Sequence, residues 1–298
     1  MYNGYKVVCV TPAGRRRYMK ILVPYILSSP IVDEYQIWAN TLDQEDLAFF
    51  RRIAKSDPRV VVIDPPEQAI DGVNSIGQFF RYCIDEKSVY IRFDDDVVFL
   101  SEYFFEELVK FRIDNPQYFY VAPTIVNNAL CGYILQARFP ELREYGNLWP
   151  YAMDRLGWSD PKYAQIAHTL FLYKHASGAL HEWFFDKQEL AVCRFSINCI
   201  SWLGREFATF GGIVPSTPDT DEEEWISARK PTSLGMINAI CGRAIASHFA
   251  FRLQREHLDT TNLLDQYEEL CIKACGPNVE KFSGGLIRAD LKKTGSAG

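Results

Sequence analysis

The sequence predicts an α/β fold, a mostly parallel sheet flanked by helices. Three observations predict it. Short apolar strand candidates alternate with helix candidates through the first half, with short connections. The apolar run Ile91-Arg92-Phe93 leads straight into Asp94-Asp95-Asp96, which places three carboxylates at the end of a buried strand. No Gly-rich phosphate-binding fingerprint follows the first strand, which sets the chain apart from dinucleotide-binding folds. With 298 residues, 48% of them hydrophobic, there is material for one large or two small domains.

Lys6–Val10 reads as the first strand, broken by Thr11-Pro12-Ala13-Gly14. Arg15–Leu27 is helix-like, with Pro24 expected to kink or end it. Tyr35–Ala39 is the second strand. Asp43–Lys55 is an amphipathic helix carrying Leu47, Phe50 and Ile53 on one side. Arg59–Ile63 is the third strand, stopped by Asp64-Pro65-Pro66. Ile76, Phe79, Phe80 and Cys83 have helical spacing ahead of the strand that ends in carboxylates. Ser101–Asn115 is a further helix and Tyr118–Ala122 a further strand.

Alternation then fades from about Asn127 to Arg194, where aromatic residues, prolines and histidines gather, as in Leu148-Trp149-Pro150-Tyr151. This stretch is expected to be an insertion or lid that shapes a second-substrate pocket. Phe210-Gly211-Gly212 precedes the acidic cluster Asp219-Thr220-Asp221-Glu222-Glu223-Glu224, which reads as a helix start. Arg243–Phe251 is a strand carrying His248, and Thr260–Ala274 a closing helix. The expected organisation is one catalytic domain over 1–280, with a nucleotide-binding half to 125 and an acceptor- and base-bearing half from 126. A flexible tail follows over 281–298.

The net charge of −6 argues against broad nucleic-acid binding but leaves room for a small phosphorylated substrate. No stretch is long and apolar enough to span a bilayer, and no signal-peptide pattern opens the chain. Eight scattered cysteines, none in a Cys-x-x-Cys pair, suit buried free thiols in a reducing compartment. Cys271 and Cys275, four apart on a helix, read as packing residues. The expected setting is therefore cytoplasmic, with peripheral membrane contact allowed through a lipid-borne acceptor.

Three adjacent carboxylates repel one another unless a cation or several donors sit nearby. Oxygen ligands suit Mg²⁺ and Mn²⁺, which in turn hold phosphates. One such Asp would serve as an ordinary helix cap or turn residue. The triplet after a strand, the acidic helix start after Gly-Gly, and a late histidine in an apolar strand follow one another in an order that resembles the GT-A glycosyltransferases. The Asp-x-Asp match is Asp94-Asp95-Asp96, and the likeness in overall plan runs from about Tyr5 to Cys275.

The resemblance implies a nucleotide-sugar donor, a glycan or lipid-linked glycan acceptor, Mn²⁺ or Mg²⁺, and a place in polysaccharide biosynthesis. Asp94, Asp96 and His248 would form the metal site, with Asp96 as the direct ligand, Asp94 on the ribose or a metal-bound water, and Asp95 orienting the turn or holding sugar hydroxyls. Thr11, Pro12, Ala13, Arg15 and Arg17 would meet the nucleotide from the loop after the first strand. Asn40, Asn74 and Gln78 would complete that crevice. Glu223 is the first candidate for an inverting general base, then Asp221 and Glu222. His168, His181, Trp183, Ser196, Asn198 and Trp202 are acceptor-side candidates. Two other readings stand beside this one: a nucleotidyltransferase of similar fold, and a catalytically silent carbohydrate-binding module.

Overall fold

The computed structural model describes residues 1–65, 70, 75–190, 193–215 and 221–287. Strands β1 (Lys6–Ala13), β2 (Glu34–Ala39) and β3 (Val60–Ile63) alternate with helices α1 (Arg16–Ser28) and α2 (Gln44–Ser56). Asp43 caps α2 by accepting from the amides of Glu45 and Asp46. A 3-10 helix (Ile76–Tyr82) leads to β4 (Ser88–Phe93), and β5 (Val97–Leu100) resumes after the carboxylates. The apolar run of residues 91–99 is therefore two strands with the aspartates at the break.

Helix α3 (Phe104–Asp114) and strand β6 (Tyr118–Val126) follow, then α4 (Ala129–Leu135), α5 (Glu141–Glu144) and α6 (Pro161–Ala176). β7 (Lys187–Leu190), β8 (Cys199–Leu203) and α7 (Gly204–Ala208) come next. The acidic segment forms α8 (Glu222–Glu224), which runs through a π-helical turn (Trp225–Arg229) into α9 (Lys230–Leu234). β9 (Ile237–His248), α10 (Arg255–Leu258), α11 (Leu263–Cys275) and α12 (Asn278–Phe282) complete the described chain.

Among the described residues, nine strands form one sheet, ordered β3-β2-β1-β4-β8-β6-β9-β5, with β7 also on β9. The four strands β3-β2-β1-β4 are all parallel, as the strand–helix alternation of the first half predicts. Beyond β4 the pairing is mixed: β8 is antiparallel to β4 and β6, β5 and β7 are antiparallel to β9, and β6 is parallel to β9. Side chains of β1, β4, β6 and β8 are buried almost throughout, as befits strands covered on both faces.

Two expectations are corrected here. Pro24 lies inside α1 and does not end it, because Ile21, Leu22, Val23, Tyr25 and Ile26 around it are all buried and hold the helix in place. Among its described residues, the stretch 127–194 carries helices α4, α5 and α6 and strand β7, and its longest element, α6, has sixteen residues. The packed chain also runs past 280: Phe282, Ser283 and Ile287 are buried, and the Ile287 amide donates to Ser283 Oγ. Residues 288–298 of the expected tail lie outside the described residues. Among the described residues no helix is long and apolar enough to cross a membrane.

Candidate functional site

Strand register assembles the site. Phe93, the last residue of β4, pairs with Cys199 at the start of β8, so Asp94 meets Asn198 across the end of the ladder. The Asp94 amide donates to Asn198 O at 2.8 Å, and Asn198 Nδ2 donates to Asp94 Oδ2 at 3.1 Å. Val97, the first residue of β5, pairs with His248, the last of β9. That register carries the imidazole to the aspartate turn, and the Phe249 amide donates to Asp96 O at 2.9 Å.

Ligand atoms of Asp94, Asp96 and His248 lie within 4.8 Å of one another. Asp96 is only 2% exposed, and its Oδ1 has no hydrogen-bond partner although His248 Nε2 is 3.3 Å away. His248 Nδ1 faces the Asn127 carbonyl at 3.4 Å. A carbonyl only accepts, so Nδ1 carries a proton and Nε2 is the nitrogen that faces Asp96 and that a metal ion could take. An orphaned buried carboxylate oxygen, a second aspartate and an imidazole nitrogen are a donor set that fits a divalent cation.

Arginines hold the carboxylates in place. Arg15 Nε donates to Asp95 Oδ1 at 2.8 Å, the Gly14 amide donates to Asp95 Oδ2 at 2.8 Å, and Arg15 Nη1 lies 2.9 Å from Asp96 Oδ2. A Cβ on Gly14 would sit 3.1 Å from Asn40 O, a tight contact at this turn. Arg255 Nη2 approaches Asp96 Oδ2 at 3.4 Å. Burial pushes the Asp96 carboxyl up, but Arg15, His248 and Arg255 outweigh it and hold the group below the usual carboxylate range. Burial alone pulls the His248 imidazolium down, and Asp96 and Asp94 more than reverse that, leaving the ring above its ordinary value.

A second pair of arginines joins this cluster to the acidic helix. Arg92, buried in β4, donates from Nη2 to Asp94 Oδ1 at 2.8 Å, and its Nη1 lies 3.2 Å from Glu222 Oε1. Arg194 donates to Glu223 Oε1 at 2.7 Å and to Asp221 Oδ2 at 2.6 Å. Asp221 also caps α8 by accepting from the Glu224 amide. Burial raises Glu222 to about 7 against the pull of Arg92, with Asp94 adding to the rise. Burial likewise raises Glu223, opposed by Arg194.

The structure gathers some of the nucleotide candidates and separates others. Pro12, Asn40 and Gln78 line one groove with Trp38, Ser75 and Phe79 at the C-terminal ends of β1 and β2. In parallel sheets this is the edge where ligands bind. Ser75 Oγ donates to Asn40 Oδ1 at 2.7 Å on its wall. Thr11 and Ala13 lie in the core instead, because β1 continues to Ala13; the Thr11 hydroxyl accepts from Tyr35 at 3.1 Å. Arg17 is turned to Asp259 and Tyr18, and Arg15 pairs with Asp95 and Asp96. Asn74 lies outside the described residues.

The acceptor-side candidates also divide. Trp183, Trp202 and His168 are fully buried packing residues, while Asn198 belongs to the Asp94 turn. The Gly211-Gly212 turn packs on protein backbone: both glycines have positive φ, and a Cβ on Gly212 would lie 2.3 Å from Phe80 O. Arg92 and Arg194 were missed as site residues. The signal for Arg92 was a lone charge inside an apolar strand, which must find buried partners.

No protein-family model and no curated protein matches the sequence. Solved structures do. A crystal structure of GalNAc-T7 with UDP, GalNAc and Mn²⁺ superposes with a TM-score of 0.51 at 12% identity over 92% of this chain. The chain spans about half (48%) of that protein's length. A mycobacterial protein matches 92% of this chain and 76% of its own at 16% identity, with a TM-score of 0.45. Glucosyl-3-phosphoglycerate synthase from Mycobacterium tuberculosis, crystallised with Mn²⁺, UDP and glucosyl-3-phosphoglycerate, matches 60% of this chain and 68% of its own at 19% identity, with a TM-score of 0.31. The first of these likenesses shows a common fold.

Proposed function

We propose that this chain, which has the GT-A fold, is a metal-dependent glycosyltransferase that moves a sugar from a nucleoside-diphosphate donor to an acceptor hydroxyl. The observation that carries the reading is the convergence of Asp94, Asp96 and His248, with an orphaned Asp96 oxygen, at the ligand-binding end of the parallel half-sheet. The similar GalNAc-T7 structure holding UDP and Mn²⁺ supports it.

Asp94, Asp96 and His248 would hold Mn²⁺ or Mg²⁺, which when bound neutralises charge building on the diphosphate leaving group. Arg15 and Arg255 keep Asp96 aimed, and the Gly14 amide and Arg15 keep Asp95 from turning into the same space. In the reading, the nucleoside would lie along the strand-end edge marked by Pro12, Asn40 and Gln78. In the reading, the acceptor oxygen attacks the anomeric carbon as its proton passes to a carboxylate of the acidic helix, with inversion. Glu222 is favoured over Glu223 for that proton. Its Oε1 lies 3.2 Å from Arg92, which it shares with Asp94, and burial raises it to about 7, whereas Glu223 and Asp221 accept hydrogen bonds from Arg194. In the reading, the acceptor is a glycan or a lipid-linked glycan and the setting is cytoplasmic polysaccharide biosynthesis.

The test is incubation with UDP-, GDP-, CDP- and dTDP-sugars plus Mn²⁺, followed by product analysis. The reading expects slow release of a nucleoside diphosphate from one donor class. Release of pyrophosphate from a nucleoside triphosphate and a sugar phosphate would identify a nucleotidyltransferase instead. No turnover, together with binding of glycan alone, would identify a silent module.

A further inference from the structure

Strand β6 runs into two adjacent asparagines, Asn127 and Asn128, both buried. Water does not serve buried amides, so these two must be bonded internally. Parallel register sets Val126 beside Ser247, which brings the pair level with His248. Asn127 turns the chain at φ 60, a left-handed conformation that asparagine tolerates, and its carbonyl faces His248 Nδ1. The turn delivers Asn128 to the start of α4 as its N-cap. There Oδ1 accepts from the Leu130 and Cys131 amides at 3.1 and 3.2 Å.

That cap fixes the polarity of the amide. With Oδ1 committed to the helix, Asn128 Nδ2 donates to Ser196 O at 3.0 Å and to Asn198 Oδ1 at 3.1 Å. Asn198 is buried too, and its Nδ2 is the end left to donate to Asp94 Oδ2. Two buried amides thus run head to tail from a helix start to a carboxylate. The other oxygen, Asp94 Oδ1, accepts from Arg92, so both oxygens are held and the carboxylate is kept from rotating. The two donors differ in kind. Arg92 brings a positive charge that opposes a second cation, whereas Asn198 aims the carboxylate and leaves its charge intact. Were the Asn198 amide to turn over, its Oδ1 would meet Asp94 and two acceptors would face each other; the bond from Asn128 prevents this.

We infer that Asn128 is a positioning residue for the metal site: acting through Asn198, it presets Asp94 to receive a divalent cation. The inference rests on the metal reading of Asp94, Asp96 and His248 proposed above. It ties the folding of α4 to the aim of a ligand, because the side chain that caps the helix also sets the amide beside the carboxylate. Partners of this kind orient a ligand without touching the ion.

The test titrates the full chain with Mn²⁺ alone and follows the free ion by electron paramagnetic resonance. Asn128→Ser keeps an N-cap oxygen for α4 and loses the amide donor; Asn128→Thr takes its place if the serine variant does not fold. The wild type should bind one Mn²⁺, and Asn128→Ser should bind it about tenfold more weakly. Asn198→Ala should lose at least as much. The double variant should lose no more than Asn198→Ala alone, because the two amides act in series, whereas independent effects would multiply. Gly211→Ala controls for lost stability: its melting temperature should drop while its Mn²⁺ affinity stays within about twofold of the wild type. Wild-type affinity in the Asn128 variant, or losses that multiply in the double variant, would overturn this inference and leave the metal reading standing. Absence of Mn²⁺ binding by the wild type would overturn both.

Discussion

Arg92 donates to Asp94 Oδ1 at 2.8 Å from within strand β4, with neither residue open enough to be served by water alone. The same guanidinium lies 3.2 Å from Glu222, so one buried cation sits between a metal-ligand candidate and a base candidate. Arg92 offsets the repulsion of two carboxylates that approach from different halves of the chain.

Removing that cation should therefore cost far more than a surface ion pair. Arg92→Met leaves Glu222 and Asp94 without their common partner, and loss of one member of a buried pair typically costs about 3–5 kcal/mol. Urea unfolding of the variant should show a drop of that size. A change under about 1 kcal/mol would mean the carboxylates find other partners.

Glu222 and Glu223 make opposite predictions for catalysis. If Glu222 takes the acceptor proton, Glu222→Gln should lower kcat by at least about a hundredfold and leave nucleotide binding in place. Glu223→Gln should keep most activity, because its carboxylate is engaged by Arg194. The wild-type rate should rise with pH through about 7, where Glu222 loses its proton. If Glu223→Gln alone abolishes transfer, the base is Glu223.

His168 predicts an acid-sensitive core. Its Nε2 lies 2.9 Å from Phe249 O and its Nδ1 2.7 Å from the Tyr267 hydroxyl. The carbonyl takes the ring N–H, so Nδ1 accepts from tyrosine and the ring is neutral. Burial pushes His168 down from 6.5 to about 4. The stability held by the neutral ring is complete above the unfolded value of about 6.5 and is lost as pH falls through about 4. Unfolding free energy measured at pH 7, 6, 5 and 4 should fall by up to about 1.4 kcal/mol per unit from this group, and His168→Gln should remove that share of the slope. An unchanged slope in the variant would contradict the assignment.

The Gly211-Gly212 turn predicts two unequal alanine substitutions. Both glycines have positive φ, but only Gly212 faces backbone, with Phe80 O 2.3 Å from where its Cβ would be. Gly211→Ala should cost about 1 kcal/mol and Gly212→Ala about 2–4 kcal/mol, read from melting curves. Equal costs would mean that the Phe80 contact yields.

Much of the fold was legible because its first half is regular. Strand–helix alternation located β1 through β4 within a few residues, and Asp43 was visible as the start of α2. Helix α6 was not read, although Asp160-Pro161 is a strong start signal. Its buried stripe of Tyr163, Ala164, Ala167, His168, Phe171 and Leu172 includes a histidine, and Ile166, Leu170 and Tyr173 lie off it, which blurs the period. Strand β8 escaped notice because it is short and preceded by polar Ser196 and Asn198.

The site followed the same division. Asp94, Asp96 and His248 were recoverable because charges or a histidine within apolar strands stand out, and the register of β5 with β9 brings them together. The arginine partners depend on side-chain direction and long-range packing, which spacing along the chain does not encode. That is why reading Arg15 as a nucleotide contact does not foresee its pairing with Asp95 and Asp96.

The most direct measurement is thermal unfolding with and without Mn²⁺ and each of UDP, GDP, CDP and dTDP, on the wild type and on the near-isosteric Asp96→Asn and His248→Gln variants. A ligand held only by the folded state raises its stability by mass action. The account predicts that one nucleoside diphosphate stabilises the wild type only when Mn²⁺ is present, and that both variants lose this response while remaining folded. Equal stabilisation of Asp96→Asn, or no response of the wild type to any of the four, would contradict it.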